Sequence, residues 1–205
     1  GVEQFVRRIS PQVRATVVVH SIGQAADIEA ITKEARARGI LVLEDCSQSH
    51  GAKHKGRLIG NFGDLAAFST MYRKTHMTGA SGGVVFSHNL ELFRRCLAHA
   101  DRGKPRWLPD FDDRNPATFL FPALNHHTDE ISCGIGIASL SRLNTTILRR
   151  LAFVAEFSGR LRDHSDICTP YGYSPNDSPF VYPVIVDLER ISCSKVQFAE
   201  ALIAE

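Results

Sequence analysis

Residues 41–48 have the sequence Leu41-Val42-Leu43-Glu44-Asp45-Cys46-Ser47-Gln48. The apolar start of this stretch continues from Ile40 and is typical of a buried strand in a parallel sheet. Its second half carries carboxylate, thiol, hydroxyl and amide groups. Open α/β sheets bind ligands at the carboxyl ends of their strands. We therefore expect Asp45 to lie at a ligand-binding edge.

The residues before this stretch predict a parallel neighbour for the strand. Residues 15–20 are β-branched and apolar as far as His20, which favours a central strand. Asp27 can cap a helix, and Gly39 stands where a left-handed helix terminator belongs. Strand, helix and strand in this order form a βαβ unit with parallel strands. His20 and Asp45 are therefore expected at the same edge of the sheet.

The remaining apolar runs predict a mixed α/β chain. The spaced glycines of residues 51–63 indicate a short hairpin, and two further strands are expected at residues 65–68 and 82–86. Residues 104–122, which are rich in proline, aspartate and arginine, predict a long surface loop. Helices are expected at residues 89–103, 128–143, 145–161 and 194–204, and the fold class is α/β with a mostly parallel sheet and helices on both faces.

A change in composition after Asp166 predicts two domains. Residues 1–145 are expected to form a large ligand-binding domain. Residues 146–205 are expected to form a connecting helix and part of a small α+β domain. The prolines of residues 170–179 predict a linker, and residues 181–186 predict a strand.

Composition and charge exclude several classes of protein. The chain has 205 residues, 43% hydrophobic and 22% charged, with a net charge of +2. These values are typical of a globular enzyme and do not favour nucleic acid or a membrane as partner. Without a long apolar stretch or a leader, the expected location is the cytoplasm. The five scattered cysteines predict neither a disulfide framework nor a zinc site, and no metal is expected.

Three side chains together suggest chemistry on a carbonyl group. Asp45 ends one strand and Ser69 ends another. Lys74 precedes the small-residue stretch 75–83, whose glycines let a bulky ligand approach the backbone. Taken singly, each residue has an ordinary structural explanation. Their combination favours a site that binds a carbonyl compound through an amine.

This combination resembles the pyridoxal-phosphate-dependent sugar-nucleotide aminotransferases of the DegT/StrS family, which have the fold type I, aspartate aminotransferase-like architecture. The resemblance extends over about residues 15–143. It is carried by several ordered motifs, which are residues 20–24, residues 44–52, Gly63-Asp64, Phe68-Ser69, Lys74, Gly82-Gly83, Asn125 and residues 129–131.

The resemblance implies a role for each matching residue. Lys74 would bind the aldehyde of pyridoxal 5'-phosphate and act as the acid and base, and Asp45 would pair with the pyridinium nitrogen. Gln48 would contact a ring substituent and Ser69 the phosphate. Asn125 would reach the phosphate of the neighbouring subunit's cofactor, which implies a homodimer with shared active sites. Glutamate would be the amino donor and a nucleotide-linked keto-sugar the acceptor, in the biosynthesis of amino sugars for cell-surface polysaccharides or antibiotics.

Departures from the family pattern leave alternatives open. His127 stands where family members commonly have arginine, and family members are considerably longer. We therefore expect the sequence to be part of a longer chain without its N-terminal portion, or a remnant that holds cofactor poorly. A sugar 3-dehydrase, which has histidine in place of the lysine, is one alternative because His76 lies near Lys74. A non-catalytic or regulatory protein on the same fold is another.

Overall fold

The computed structural model describes residues 1–204 and confirms the α/β class. The chain order of its elements is α1 Val2–Arg8, β1 Ala15–Val19, α2 Ile28–Arg36, β2 Leu41–Asp45, β3 Lys53–His54, β4 Arg57–Leu58, β5 Leu65–Ser69, β6 Gly83–Phe86, α3 Leu90–Ala100, α4 Glu130–Ser141, α5 Leu143–Leu161, β7 Cys168–Thr169, β8 Ile185–Val186 and α6 Lys195–Ala204. Among these helices, none is long and apolar enough to cross a bilayer.

The main sheet has four strands in the order β1-β2-β5-β6. The first three are parallel, and β6 runs antiparallel to β5 at the edge. Val19 of β1 is the register partner of Asp45, and Asp45 is the partner of Ala67 in β5. The carboxyl ends of three neighbouring strands therefore meet at one edge, as the sequence predicted for β1 and β2.

The two faces of the sheet differ in burial. Val18 and Val42 lie on the inner face, where they pack against α2 through Ile28, Ile31 and Ala35. Successive residues of a strand alternate between faces. Val17 and Leu41 therefore lie on the outer face, with exposed fractions of 60% and 51%. Asp45 shares that outer face, and so does Ser69, two residues beyond the register partner of Asp45.

The proline segment, defined here as residues 170–180, packs against the turn that follows β1. Its backbone N–H groups at Ser178 and Phe180 donate to the carbonyl oxygens of Gly23 and Ile22, at 2.8 and 3.1 Å. Gly23 has φ +102°, and a Cβ atom there would lie 2.0 Å from the Ser178 oxygen. Only glycine suits this approach. The predicted linker is thus a packed part of the fold.

The strand predicted at residues 181–186 is mostly wrong. Only Ile185–Val186 is a strand, and it pairs antiparallel with Cys168–Thr169. Residues 181–184 follow the proline segment, whose path is fixed by its contacts with the turn after β1. The helices predicted after Thr128 and Thr145 are confirmed with shifted ends, as α4 and α5. The hairpin predicted within residues 51–63 is β3 and β4.

Candidate functional site

Asp45 and Ser69 end two neighbouring parallel strands and point to the same face of the sheet. The Oδ1 atom of Asp45 accepts a hydrogen bond from the Ser47 N–H at 3.0 Å. This bond ties the carboxylate to the loop after β2 and leaves its second oxygen for a ligand. An acid and a hydroxyl therefore lie on the same face of the sheet, at the carboxyl ends of two neighbouring strands.

Gln48 joins the loops after β1 and β2. Its Oε1 accepts a hydrogen bond from the Ile22 N–H at 2.9 Å. Ile22 has φ +54°, a left-handed conformation that is unfavourable for a β-branched residue. The hydrogen bond helps to hold that conformation. Because the amide oxygen is used in this way, the NH₂ group is the part of Gln48 that can serve a ligand.

The lysine loop, residues 70–82, connects β5 to β6 and carries Lys74. The Met77 N–H donates to the Ser139 Oγ of α4 at 3.1 Å. A Cβ atom on Gly136, also in α4, would lie 3.0 Å from the Thr78 Cγ2 atom. Small residues on α4 therefore let this loop pack closely against the helix, which fixes the position of Lys74.

His50 connects the loop after β2 with the lysine loop. Its side chain is buried, and its ring centroid lies 5.8 Å from that of Phe68 and 6.0 Å from that of His76. Burial, with smaller contributions from His76 and the charge of Lys74, lowers the pKa of His50 to about 4. The loops that carry Asp45 and Lys74 are therefore neighbours, which a shared ligand requires.

Because His50 is buried in its neutral form, we expect the unfolding free energy to fall in acid. Its pKa falls from 6.5 in the unfolded chain to about 4 in the fold, so the unfolded state binds more protons between these pH values. Between pH 7 and pH 4.5, the unfolding free energy should drop by about 2 kcal/mol through this residue. Urea unfolding at both pH values measures this effect. In H50L, the drop in unfolding free energy should be about 2 kcal/mol smaller than in the parent protein. The exposed control H126Q should keep the parental drop, and equal drops in H50L and the parent would contradict the assignment.

Asn125 lies apart from the other predicted site residues. It is exposed, forms a β-bridge with Asp101 after α3, and accepts a hydrogen bond from the His127 N–H at 3.0 Å. Burial disfavours the charge of Asp101, but hydrogen bonds from Arg106 and Arg102 outweigh it and lower the pKa of Asp101 to about 2. Within residues 1–204, no hydrogen bond or ion pair joins Asn125 to the carboxyl-edge residues.

Glu44 is a buried acid that supports this edge through hydrogen bonds, a role that the sequence analysis did not predict. Its carboxylate accepts hydrogen bonds from the N–H groups of Gly60, Phe62 and Gly63, at 2.7, 2.7 and 2.6 Å. Burial alone raises the pKa of Glu44, but the hydrogen bonds from His20 and these N–H groups outweigh it and lower the pKa. The sequence did contain one indication of this role. Glu44 comes two residues after Val42, so the alternation of a strand places it on the same buried face.

His20 completes this buried pair. Its Nδ1 accepts the Ala26 N–H at 3.1 Å, so the proton sits on Nε2, 3.1 Å from the Glu44 carboxylate. Cys46 lies near both groups, within the spacing of a metal site. However, Glu44 already accepts several hydrogen bonds, and burial raises the pKa of the Cys46 thiol above its usual value. His20 and Glu44 therefore form a hydrogen-bonded pair that supports the edge, with the neutral thiol of Cys46 beside them.

Comparisons with known proteins agree with this architecture. The chain is 31% identical over 150 residues to GDP-perosamine synthase of Escherichia coli O157:H7, covering 73% of this chain and 39% of that protein. It is 29% identical over 184 residues to dTDP-3-amino-3,4,6-trideoxy-alpha-D-glucose transaminase of Streptomyces venezuelae, covering 90% and 46%. The chain thus spans less than half the length of these curated relatives.

A solved structure shows the same fold. The E. coli GDP-4-keto-6-deoxy-D-mannose-3-dehydratase with bound hydrated PLP superposes with a TM-score of 0.83 at 23% identity, over 100% of this chain and 54% of that one. At this identity the likeness establishes the fold alone. The sequence profile of the DegT/DnrJ/EryC1/StrS aminotransferase family matches residues 2–205. Because this match covers nearly the whole sequence, the chain belongs to the DegT/DnrJ/EryC1/StrS aminotransferase family.

Proposed function

We propose that this chain carries the cofactor-binding site of a pyridoxal-phosphate-dependent aminotransferase that moves an amino group from glutamate to a nucleotide-linked keto-sugar. One observation carries the proposal. Asp45 and Ser69 share one face at the carboxyl edge, and His50 joins the loop after Asp45 to the loop of Lys74. The curated relatives named above are a sugar-nucleotide synthase and a transaminase, which supports the same reaction class.

The side chains of this edge, together with the amine of the lysine loop, fit pyridoxal phosphate. The cofactor requires an anion for its ring nitrogen, donors for its phosphate and an amine for its aldehyde. Asp45 has a carboxylate oxygen available, Ser69 offers a hydroxyl, and Lys74 offers the amine. Gln48 keeps its NH₂ group for a ring substituent. The donor set thus matches the polar groups of the cofactor.

Each residue then has a defined chemical task. When bound, the cofactor supplies an electron sink for the carbon that loses a proton. The Asp45 carboxylate keeps a proton on the ring nitrogen through a charge-assisted hydrogen bond. The Nζ atom of Lys74 takes a proton from the α-carbon of the amino donor and returns a proton to the acceptor side. His50 near Lys74 is neutral, so it adds no positive charge that would disfavour uptake of a proton by the Lys74 amine.

The same proposal extends to assembly, domains and location. We place Asn125 at a homodimer interface, where its exposed position would let it reach the phosphate of the partner's cofactor. Residues 1–145 would form the cofactor-binding domain, and residues 146–205 the connecting helix and part of the small domain. A cytoplasmic location would give access to nucleotide sugars. Sedimentation of the protein with bound cofactor tests the dimer.

Product analysis separates the aminotransferase from its alternatives. The protein is incubated with cofactor, glutamate and a GDP- or dTDP-linked 4-keto-6-deoxy sugar. We expect an amino sugar and 2-oxoglutarate in equal amounts. A deoxygenated sugar without transfer of nitrogen would instead identify a dehydrase. A protein that shows neither product nor the visible absorbance of bound cofactor would be the non-catalytic member of the same fold.

Replacing Asp45 by asparagine should lower turnover about 100-fold while the chain stays folded. The amide can still accept the Ser47 N–H, but it cannot keep the ring nitrogen protonated as a carboxylate does. Steady-state rates with saturating cofactor measure the loss, and circular dichroism verifies the fold. D64N is not a suitable control because the Val42 N–H donates to that carboxylate. D163N, in an exposed 3-10 helix of three residues, is the better control. Normal turnover of D45N would reject the role of Asp45.

A further inference from the structure

The proline segment brings an aromatic ring against the candidate catalytic lysine. The Nζ atom of Lys74 lies 4.9 Å from the centroid of the Phe180 ring. This distance is within the range of a cation–π interaction, in which the face of the ring attracts an ammonium group. Phe180 comes from a segment more than a hundred residues away in sequence, so the contact is made only by the fold.

One guanidinium links both sides of this contact. The Nη1 atom of Arg150, in α5, donates to the Thr75 Oγ1 at 2.8 Å and to the Pro179 carbonyl oxygen at 3.0 Å. Thr75 follows Lys74, and Pro179 precedes Phe180. Arg150 therefore connects the backbone segments that carry the amine and the ring.

The surroundings of Arg150 suggest that this bridge is its role. Burial lowers the pKa of Arg150, and in the part of the chain described here no carboxylate forms an ion pair with it. Placing a charged group in a half-buried position without a counter-ion costs free energy, which hydrogen bonds to the group partly offset. The two hydrogen bonds of its guanidinium, to Thr75 and to Pro179, reach the two segments that carry Lys74 and Phe180.

We propose that Phe180 and Arg150 are positioning residues for Lys74. The ring binds the ammonium group, and the guanidinium fixes the backbone beside Lys74 and beside Phe180. The importance of this arrangement for catalysis rests on the role of Lys74 proposed above. Titratable groups around the lysine loop include His50 from the loop after β2, His76 from the lysine loop and Arg150 from α5. None of these three is an anion, so the ring face supplies attraction for the ammonium group. The ring would keep the Lys74 side chain in place after its Nζ has taken up a proton and before it returns that proton.

The contact can be tested by NMR without cofactor. Reductive methylation with ¹³C formaldehyde labels lysine amines and keeps their charge. The signal of Lys74, assigned by its loss in K74R, should be shifted upfield by the ring current of Phe180. This shift should disappear in F180L and persist in F180Y, which keeps the ring. An unshifted Lys74 signal in the parent protein, or an unchanged shift in F180L, would overturn the proposal.

Two neighbouring arginines provide a matched test of the bridge. R150M should reduce the upfield shift of the Lys74 signal, because it removes both hydrogen bonds of the guanidinium. R149M, which changes an exposed arginine on the same helix, should leave the shift unchanged. Equal shifts in R150M and the parent protein would refute the positioning role of Arg150. Circular dichroism of each variant, including the K74R variant used for assignment, verifies that the fold is retained.

The reactivity of Lys74 gives an independent measurement. If the ring favours the ammonium form, Lys74 should be acetylated about 2- to 5-fold faster at pH 8 in F180L than in the parent protein or in F180Y. Lys53, which is exposed, serves as the internal reference. Equal rates in all three proteins would contradict a cation–π contact. If the ring-current shift is present but cofactor attaches to another lysine, the contact stands and the proposed function fails.

Discussion

Replacing Lys74 by arginine is expected to lower turnover by at least about 10⁴-fold. Arginine keeps the positive charge and can still lie against Phe180, so the packing of the lysine loop should be retained. Its guanidinium is always protonated, however, and offers neither an amine for a carbonyl group nor a base for a carbon acid. The variant therefore removes the chemistry of residue 74 and keeps most of its contacts.

Borohydride reduction locates the reacting amine directly. The parent protein with pyridoxal phosphate should give one cofactor-labelled peptide, and that peptide should contain Lys74. K74R should give no label, whereas K53R, changed in the exposed hairpin, should be labelled as the parent protein is. A label on a different lysine in the parent protein would refute the assignment of Lys74.

Replacing Glu44 by glutamine is expected to lower the unfolding free energy by about 3 to 5 kcal/mol. The carboxylate accepts hydrogen bonds from three backbone N–H groups of the loop between β4 and β5 and faces the Nε2–H of His20. Glutamine has one acceptor oxygen, and its NH₂ group would face N–H donors. Buried donors left without a partner cost about 1–3 kcal/mol each.

The effect of Glu44 should extend to the functional edge. The His20 N–H donates to the Asp45 carbonyl oxygen at 3.0 Å, and the Ser49 Oγ donates to the His20 carbonyl oxygen at 2.7 Å. The buried pair thus holds the backbone on both sides of Asp45. We expect E44Q to bind cofactor more weakly even under conditions in which it remains folded.

Guanidinium unfolding of E44Q and of a control measures this loss. E91Q changes an exposed acid that pairs with Arg95 one turn later, and should lose less than about 0.5 kcal/mol. The pKa of Glu44 is lowered in the fold, so its stabilisation is present at neutral pH and is lost as pH falls through the lowered pKa. The stability of E44Q should therefore depend less on pH in acid. A loss no larger than that of E91Q would contradict the proposed support.

Local patterns in the sequence predicted much of the sheet and part of the site. The apolar run before Asp45 and the β-branched run before His20 indicated two parallel strands, and both strands are present in that register. The carboxyl ends of parallel strands meet at one edge, so the placement of Asp45 followed from local pattern. The position of Ser69 at a strand end was predicted in the same way, from the apolar run of residues 65–68.

The contacts of residues distant in sequence could not be predicted in this way. The proline segment has the composition of a linker, yet its backbone packs on Gly23, more than 150 residues earlier in the chain. The predicted strand at residues 181–186 is short because the pairing partner it finds, Cys168–Thr169, has only two residues. Strand propensity describes a residue and its near neighbours in sequence. The length of a strand also depends on the strand with which it pairs.

The sequence by itself determined the parallel strands, the acid and hydroxyl at their carboxyl ends and the family to which the chain is similar. These features depend on the apolar runs, on the residues that end them and on the order of motifs along the chain, all of which can be read from the sequence. Only the tertiary structure decided that Glu44 and His20 support the edge from inside, that His50 joins two loops and that Phe180 lies against Lys74. Each of these contacts joins segments that sequence spacing alone does not bring together, because burial and close packing select them only once the chain has folded.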